Sequence, residues 1–181
     1  MKAFITAGLF IAVLSTLALA GEPDLSKPQK EHEWLQQLTG EWETETEIVV
    51  EPGKPPQKMK GSESNRAIGG YWVHSEHKGT ADGVPFTGIL TLGYDAEKKK
   101  YVGTWIDSMT SILWHYQGVV DAAGKILTLD AEGPDMEHSG KTAKFRETIE
   151  VKSKDQKVFT SAIEKDGKWL TFLTSTYTRK K

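Results

Sequence analysis

Histidines, carboxylates and tryptophans that could bind or transform a small molecule recur in three strand-like stretches of the chain. In "YWVHSEHKG", alternation puts Trp72, His74 and Glu76 on one face and Val73, Ser75 and His77 on the other. "YVGTWIDS" puts Trp105 and Asp107 on one face, and His115 stands between two aromatic residues. Aromatic walls with a few polar groups are typical of ligand cavities. The predicted ligand-contacting residues are Trp72, His74, Glu76, Trp105, Asp107 and His115.

The same residues include candidates for a metal or haem site. His74 and Glu76 share a face, but His74 and His77 are three residues apart on a strand and point to opposite faces, so we predict no metal site. His115 is the first candidate for a haem ligand and His74 the second. The chain has no cysteine, so a c-type haem attachment motif is absent. The haem-binding barrel remains an alternative, and no cofactor is predicted.

The sequence gives little support for catalysis. No serine lies in a G-x-S-x-G elbow, and convergence of Asp107, Glu132 and Glu147 cannot be read from their spacing. We predict no catalytic residue and favour a protein that is not an enzyme. The alternative is an enzyme that uses a cavity acid, Glu76 or Asp107, as a general base.

The elements that would position these residues are strands. "EHEWLQQL" (31–38) predicts a short helix that ends at Gly40, and a period of two begins at Glu41. Tight turns divide the rest into about ten short strands, which predicts an antiparallel up-and-down meander. Closure into a barrel, with the helix capping one end, would remove both open edges. A two-sheet sandwich is the alternative.

Two ends of the chain carry a signature of a known superfamily. "GEW" (40–42) after a short helix resembles the glycine-x-tryptophan motif of the lipocalin and fatty-acid-binding (calycin) superfamily. The resemblance implies that a basic residue of the last strand lies across the tryptophan and bonds the neighbouring main chain. Arg179 is placed to do so, and Lys180 is the substitute. Gly40, Trp42 and Arg179 are therefore predicted to form a structural signature.

A second resemblance covers nearly the whole chain after residue 20. The blocks "WLQQLTGEW", "GGYWV", "LTLGYD", "YVGTWIDSM", "LWHYQG", "LTLDAEGP" and "YTRKK" resemble the bacterial family called domain of unknown function 1579 (DUF1579). That family implies a fold and no reaction. The chain departs from it at His115-Tyr116-Gln117, where such proteins often have a tyrosine followed by an acid.

The first 30 residues indicate the compartment of the protein, and the net charge indicates which classes of partner it lacks. Residues 1–20 combine Lys2, an apolar run and Ala18-Leu19-Ala20, the pattern of a cleaved secretory signal peptide. Residues 21–30 predict a flexible leader and 31–181 a single domain, secreted or periplasmic, with no membrane span in the mature chain. A formal net charge of −2 lacks the basic footprint of a nucleic-acid binder.

The leading hypothesis is an exported lipocalin-like barrel that binds a small apolar or amphipathic ligand. A purely structural envelope protein with a solidly packed interior is a third hypothesis. The sequence does not determine the oligomeric state.

Overall fold

The computed structural model describes residues 27–51, 53–81, 83–135 and 138–181, which hold one short helix and ten strands. The predicted signal peptide and most of the predicted leader lie outside these residues. The elements are α1 (Lys30–Gln36), β1 (Gly40–Ile48), β2 (Gln57–Ile68), β3 (Trp72–Ala81), β4 (Val84–Asp95), β5 (Lys100–Asp107), β6 (Trp114–Val120), β7 (Ile126–Pro134), β8 (Thr142–Ser153), β9 (Gln156–Lys165) and β10 (Lys168–Arg179).

The ten strands form one closed antiparallel barrel. Each strand pairs with its neighbours in sequence, and β1 pairs with β10 in a register that sets Trp42 opposite Arg179. This confirms the predicted ten-strand meander barrel with a short helix and rules out the sandwich. Closure leaves no strand edge unpaired, which explains how a long run of short strands avoids edge-to-edge association.

Strand β1 shows how sequence alternation produces the wall. Trp42 is buried and Thr44 and Thr46 are half-buried on the inner face, whereas the intervening glutamates face outward. The outer face carries exposed ion pairs such as Glu45–Lys60 at 3.2 Å. Such pairs contribute little to stability. The barrel is therefore stabilised mainly by the backbone hydrogen bonds between its strands and by the packing of its interior side chains.

Helix α1 closes one end of the barrel. Leu35 is fully buried in the apolar core at this end, and Leu38, which comes just after the helix, is buried in the same core. At the edge of this core, the indole of Trp34 packs edge-on against Tyr101 with the ring centroids 5.7 Å apart, and its Nε1 donates to the Gly124 carbonyl oxygen at 2.7 Å. The apolar side of α1 thus packs on the barrel interior, and the indole of Trp34 is hydrogen-bonded to the turn between β6 and β7.

At the same end of the barrel, a cation–π contact joins the first and last strands. The guanidinium of Arg179 lies 4.0 Å from the centroid of the Trp42 ring and donates to the carbonyl oxygens of Thr39 and Gln37. Trp42 Nε1 in turn donates to the Leu38 carbonyl oxygen at 3.0 Å, so the buried indole is satisfied. A Cβ on Gly40, whose φ is +111°, would stand 2.3 Å from the Arg179 guanidinium. Only glycine fits here without strain.

The opposite end of the barrel has no helix among the described residues. Seven large apolar side chains are exposed around it, contributed by the ends of strands and by the loops between them: Val49, Val50, Val84, Ile106, Met109, Leu113 and Leu170. No helix in the described part of the chain has the length and apolar character to cross a membrane.

Candidate functional site

A cavity of about 460 Å³ occupies the half of the barrel away from α1. This volume lies in the range of small-molecule sites. Its floor is the apolar core under the helix, and its far end is the open mouth. The apolar part of its wall includes Ile48, Met59, Phe86, Leu90, Trp105, Trp114, Phe145, Phe159 and Phe172.

The cavity exists because small residues face inward on adjacent strands. Thr44, Thr46, Gly61, Ser75 and Ser175 line it from β1, β2, β3 and β10. The Thr46 and Ser175 hydroxyls bond each other at 2.7 Å, so the wall is closed without filling the lumen. The hypothesis of a solidly packed interior does not hold for this half of the barrel.

Trp105 forms one side of the cavity. A Cβ on Gly88 would meet its ring at 2.2 Å, so the indole lies directly over that glycine of β4. The ring also meets the imidazole of His77 edge to face, with centroids 5.0 Å apart, and its Nε1 donates to Asp107 Oδ2 at 2.9 Å. The tryptophan is therefore fixed in orientation and presents apolar surface to the lumen.

A buried ion pair lies deeper in the cavity. Glu63 Oε1 accepts hydrogen bonds from Lys157 Nζ and from Asn65 Nδ2, and the side chains of Glu63 and Lys157 are almost fully buried. Burial alone would raise the pKa of Glu63, but the positive charge of Lys157 and these hydrogen bonds outweigh it, so its pKa lies below the usual range. Lys157 Nζ is also 4.7 Å from the Trp42 ring centroid and 4.6 Å from that of Tyr177. The lysine thus connects the cavity to the closed end.

His77 adjoins this pair as a neutral ring. Its Nε2 is 3.2 Å from Glu63 Oε2, but the atoms do not meet hydrogen-bond geometry. Burial lowers the pKa of His77, and the nearby Lys157 lowers it further, against the opposing effect of Glu63. At neutral pH the imidazole therefore adds no charge to the cavity.

Glu147 is a second buried acid of the cavity, and it has no basic partner among the described residues. It is 7% exposed and faces the lumen from β8, where Ser161 Oγ donates to its Oε1 at 2.9 Å. Its Oε2 is buried and has no hydrogen-bond partner among the described residues. Burial raises the pKa of Glu147 to about 8, against the smaller effect of the Ser161 bond. The carboxyl group is therefore mainly protonated at neutral pH.

Of the six predicted ligand-contacting residues, Trp105 and Asp107 line the cavity. Asp107 stands near the mouth and is already bonded: Oδ2 accepts from Trp105, and Oδ1 accepts from the backbone N–H groups of Met109 and Thr110 at 2.8 and 2.9 Å. It orders the β5–β6 loop and fixes the tryptophan. Whether either residue contacts a ligand stays a prediction.

The other four lie on the outer surface, so their predicted place in the cavity has to be corrected. On β3 the inward residues are Val73, Ser75 and His77, and hence Trp72, His74 and Glu76 point outward. Trp72 is 42% exposed and lies over Gly93 of β4, where a Cβ would stand 2.3 Å from its ring. Glu76 pairs with Lys78 at 3.0 Å.

His115 is also exposed, on β6, in an outer groove that contains Trp72 and Trp169. Both histidines considered as haem ligands therefore lie outside the lumen. No cluster of three or more histidine or carboxylate side chains in the described ranges could hold a metal ion.

Sequence reasoning missed the ionisable residues of the interior. No pattern in the sequence points to Glu63 or Lys157, and Glu147 enters only as one of three acids whose spacing leaves convergence open. One signal was present: in "FRETI" the residues Phe145, Glu147 and Ile149 alternate, so Glu147 stands between two apolar neighbours on the inner face. Glu63 has no such signal, since its neighbours on the face are Gly61 and Asn65.

Comparison with known proteins gives a family and a fold. The family described as "Protein of unknown function (DUF1579)" matches residues 27–179. The crystal structure of Rv2717c from M. tuberculosis is similar with a TM-score of 0.59 and 13% identity, covering 86% of this chain and 100% of that chain. The S-type phycobiliprotein lyase CPES from Guillardia theta has a TM-score of 0.54 and 15% identity, with 85% and 99% covered. No curated protein sequence matches. At these identities the structural likeness shows a shared fold alone.

Proposed function

We propose that this chain, which belongs to the DUF1579 family whose description assigns no function, is an exported protein that binds a small, largely apolar or amphipathic molecule. The observation that carries this proposal is the open half of the barrel, a cavity of about 460 Å³ lined by two tryptophans, four phenylalanines and a few buried polar groups. Burying apolar ligand surface against such a wall supplies the main favourable free energy of binding.

Access to the cavity supports the same proposal. The mouth is formed by the strand ends opposite α1, and exposed apolar side chains surround it. A binding site with this entrance suits ligands that are sparingly soluble in water.

Export is the second part of the proposal and depends on residues 1–20, which have the tripartite pattern of a signal peptide. Expression of the full chain in a bacterial host with a periplasm would test it. We expect the periplasmic protein to begin at Gly21. A chain that keeps Met1 and stays in the cytoplasm would contradict export and leave the ligand-binding proposal intact.

Glu147 favours a second candidate, an enzyme that uses this carboxyl group as a general acid or base. Its raised pKa and its place in an open cavity are features of such groups. Recovering a bound ligand after incubation and checking it for chemical change separates the candidates. An unchanged ligand supports a binding protein, and a product that the Glu147→Gln variant does not form supports the enzyme.

Intrinsic fluorescence provides the direct test of binding. Because Trp105 and Trp114 line the cavity, a ligand that enters it should change their emission in a saturable way. The panel is fatty acids, isoprenoids and haem. We expect at least one apolar or amphipathic member to bind.

A matched pair of variants shows whether the ligand occupies the lumen. Thr44 faces the cavity and Glu43 faces solvent from the next position of the same strand. We expect Thr44→Phe to weaken binding about tenfold or more by filling the lumen, and Glu43→Phe to leave it unchanged. Absence of saturable binding across the panel, or equal binding by both variants, contradicts the proposal.

A further inference from the structure

The charges inside the cavity are unbalanced. Three carboxyl groups line it among the described residues, those of Glu63, Asp107 and Glu147, whereas Lys157 is the one basic side chain that points inward. Lys60 and Lys78 also touch the lining, but both are largely exposed and pair on the outer surface with Glu45 and Glu76. The lumen therefore has an excess of acidic groups.

These acids differ in how well they are bonded. Glu63 has Lys157 and Asn65, and Asp107 has the Trp105 indole and two backbone N–H groups. Glu147 has Ser161 on one oxygen and no partner on the other within the described part of the chain.

Two buried oxygens that line the lumen lack a hydrogen-bond donor once Glu147 is ionised. Besides Glu147 Oε2, the buried Oδ1 of Asn65 is also without a hydrogen-bond partner in the described structure. A carboxylate oxygen and an amide oxygen both accept hydrogen bonds. A buried polar atom without a partner costs free energy, so a ligand that brings donors to this place removes that cost.

We propose that the cavity is selective for cationic amines with an apolar body, and that the ammonium group of the ligand pairs with the carboxylate of Glu147. This inference rests on the proposed ligand binding and specifies its ligand class. An ammonium group carries a positive charge and several N–H donors, which match the acidic excess and the unpartnered oxygens. The apolar body fills the part of the lumen bounded by Trp105, Trp114 and the phenylalanines.

Selectivity for a cation makes binding dependent on pH. Glu147 is largely protonated in the empty protein at neutral pH, since its pKa is about 8, and it must ionise to pair with an ammonium. The affinity for an amine should therefore rise about tenfold per pH unit below pH 8 and level off above it. The groups that face Glu147 are Ser161, Tyr116 and Tyr177, and burial raises the pKa of both phenols, so they stay uncharged over this range.

Calorimetric titration with octylamine, octanol and octanoate tests the selectivity, because the three probes share one chain and differ in the head group. At about pH 8 we expect octylamine to bind about tenfold or more tightly than octanol, and octanoate to bind more weakly than both. Octyltrimethylammonium, which has the charge without N–H donors, should fall between octylamine and octanol.

Two variants assign the effect to one carboxyl group. Glu147→Gln should lose the preference for octylamine over octanol together with its pH dependence, and a cooperative unfolding transition in urea shows that this variant is folded. Glu147→Asp should keep part of the preference. Glu150→Gln makes the same substitution on the same strand, three residues away in an outward-facing ion pair with Lys152, and should change neither the preference nor its pH dependence.

The outcomes separate this inference from the proposed function. Equal binding of octylamine and octanol, or a preference for octylamine that survives in Glu147→Gln, overturns the selectivity and leaves a general apolar binding site. Failure of all four octyl probes, and of the fluorescence panel, overturns both.

Discussion

Replacing Glu147 by glutamine should stabilise the protein at neutral and basic pH, and the gain can be worked from the pKa. The carboxyl group has a pKa of about 8 in the folded chain and an ordinary value of 4.5 when exposed. Below pH 4.5 the group is protonated in both states, and its contribution to stability is then fully present. As the pH rises towards 8 the unfolded chain releases the proton and the folded chain retains it, so the free energy of unfolding falls.

The size of this loss is large relative to the stability of a domain. A difference of one pKa unit corresponds to about 1.4 kcal/mol, so the gap between 4.5 and 8 corresponds to about 5 kcal/mol. Glutamine has nearly the same shape and never ionises. We therefore expect Glu147→Gln to equal the parent protein in stability near pH 4.5 and to exceed it by several kcal/mol by pH 8.

Urea denaturation at a series of pH values measures the difference between the two proteins at each pH. Taking the difference removes the titration of every other group, including Glu63 and His77. Glu150→Gln serves as the control for the loss of one acid on β8, and its difference should stay small at every pH because that side chain is partly exposed. Parallel stability curves for Glu147→Gln and the parent protein would refute the reasoning, since they would mean that the acid titrates as if it were in water.

Two further predictions concern the groups that hold the closed end and the buried ion pair. Arg179→Ala should lower the free energy of unfolding by about 2 to 4 kcal/mol, because it removes the contact with Trp42 and the hydrogen bonds to the chain before β1. In thermal denaturation, Arg179→Lys should recover less than half of this loss. Full recovery would show that the charge alone matters. Glu63→Gln and Lys157→Met should each cost about 3 to 5 kcal/mol, and the double variant clearly less than their combined cost, because each single change leaves a buried charge unpaired. Additive costs in urea denaturation would contradict that coupling.

The sequence predicted the architecture because architecture depends on patterns along the chain. Alternation in "WETETEI" fixes the inner face of β1, since glutamates cannot be buried in a row. The relation between Trp42 and Arg179 came from a resemblance to a known superfamily, and the paired register of β1 and β10 provides its structural basis. Ten short strands with tight turns leave few ways to satisfy their edges, so closure follows.

The site was harder to predict because the inner face of a strand such as β3 is decided by its neighbours. "YWVHSEH" has aromatic or ionisable residues on both faces, so its composition does not settle which face is inside. The deciding contacts lie across strands: Trp72 covers Gly93 on the outer surface, whereas Trp105 covers Gly88 and Trp114 covers Gly133 inside. Each indole needs a glycine on the adjacent strand, and only the register of the sheet shows which glycine stands beside which tryptophan.

The interior combines two features that reduce stability, and both lie in the same half of the barrel. Thr44, Thr46, Ser75 and Ser175 leave space where larger apolar side chains would bury more surface and raise the free energy of unfolding. Glu147 occupies the edge of that space as a buried acid whose second oxygen has no partner in the described structure. Single substitutions could remove either cost. A ligand that fills the space and donates to the acid offsets both at once, because binding to the folded state adds directly to its stability. An amine that raises the melting temperature of the parent protein more than that of Glu147→Gln would show this coupling between empty space and unpaired charge.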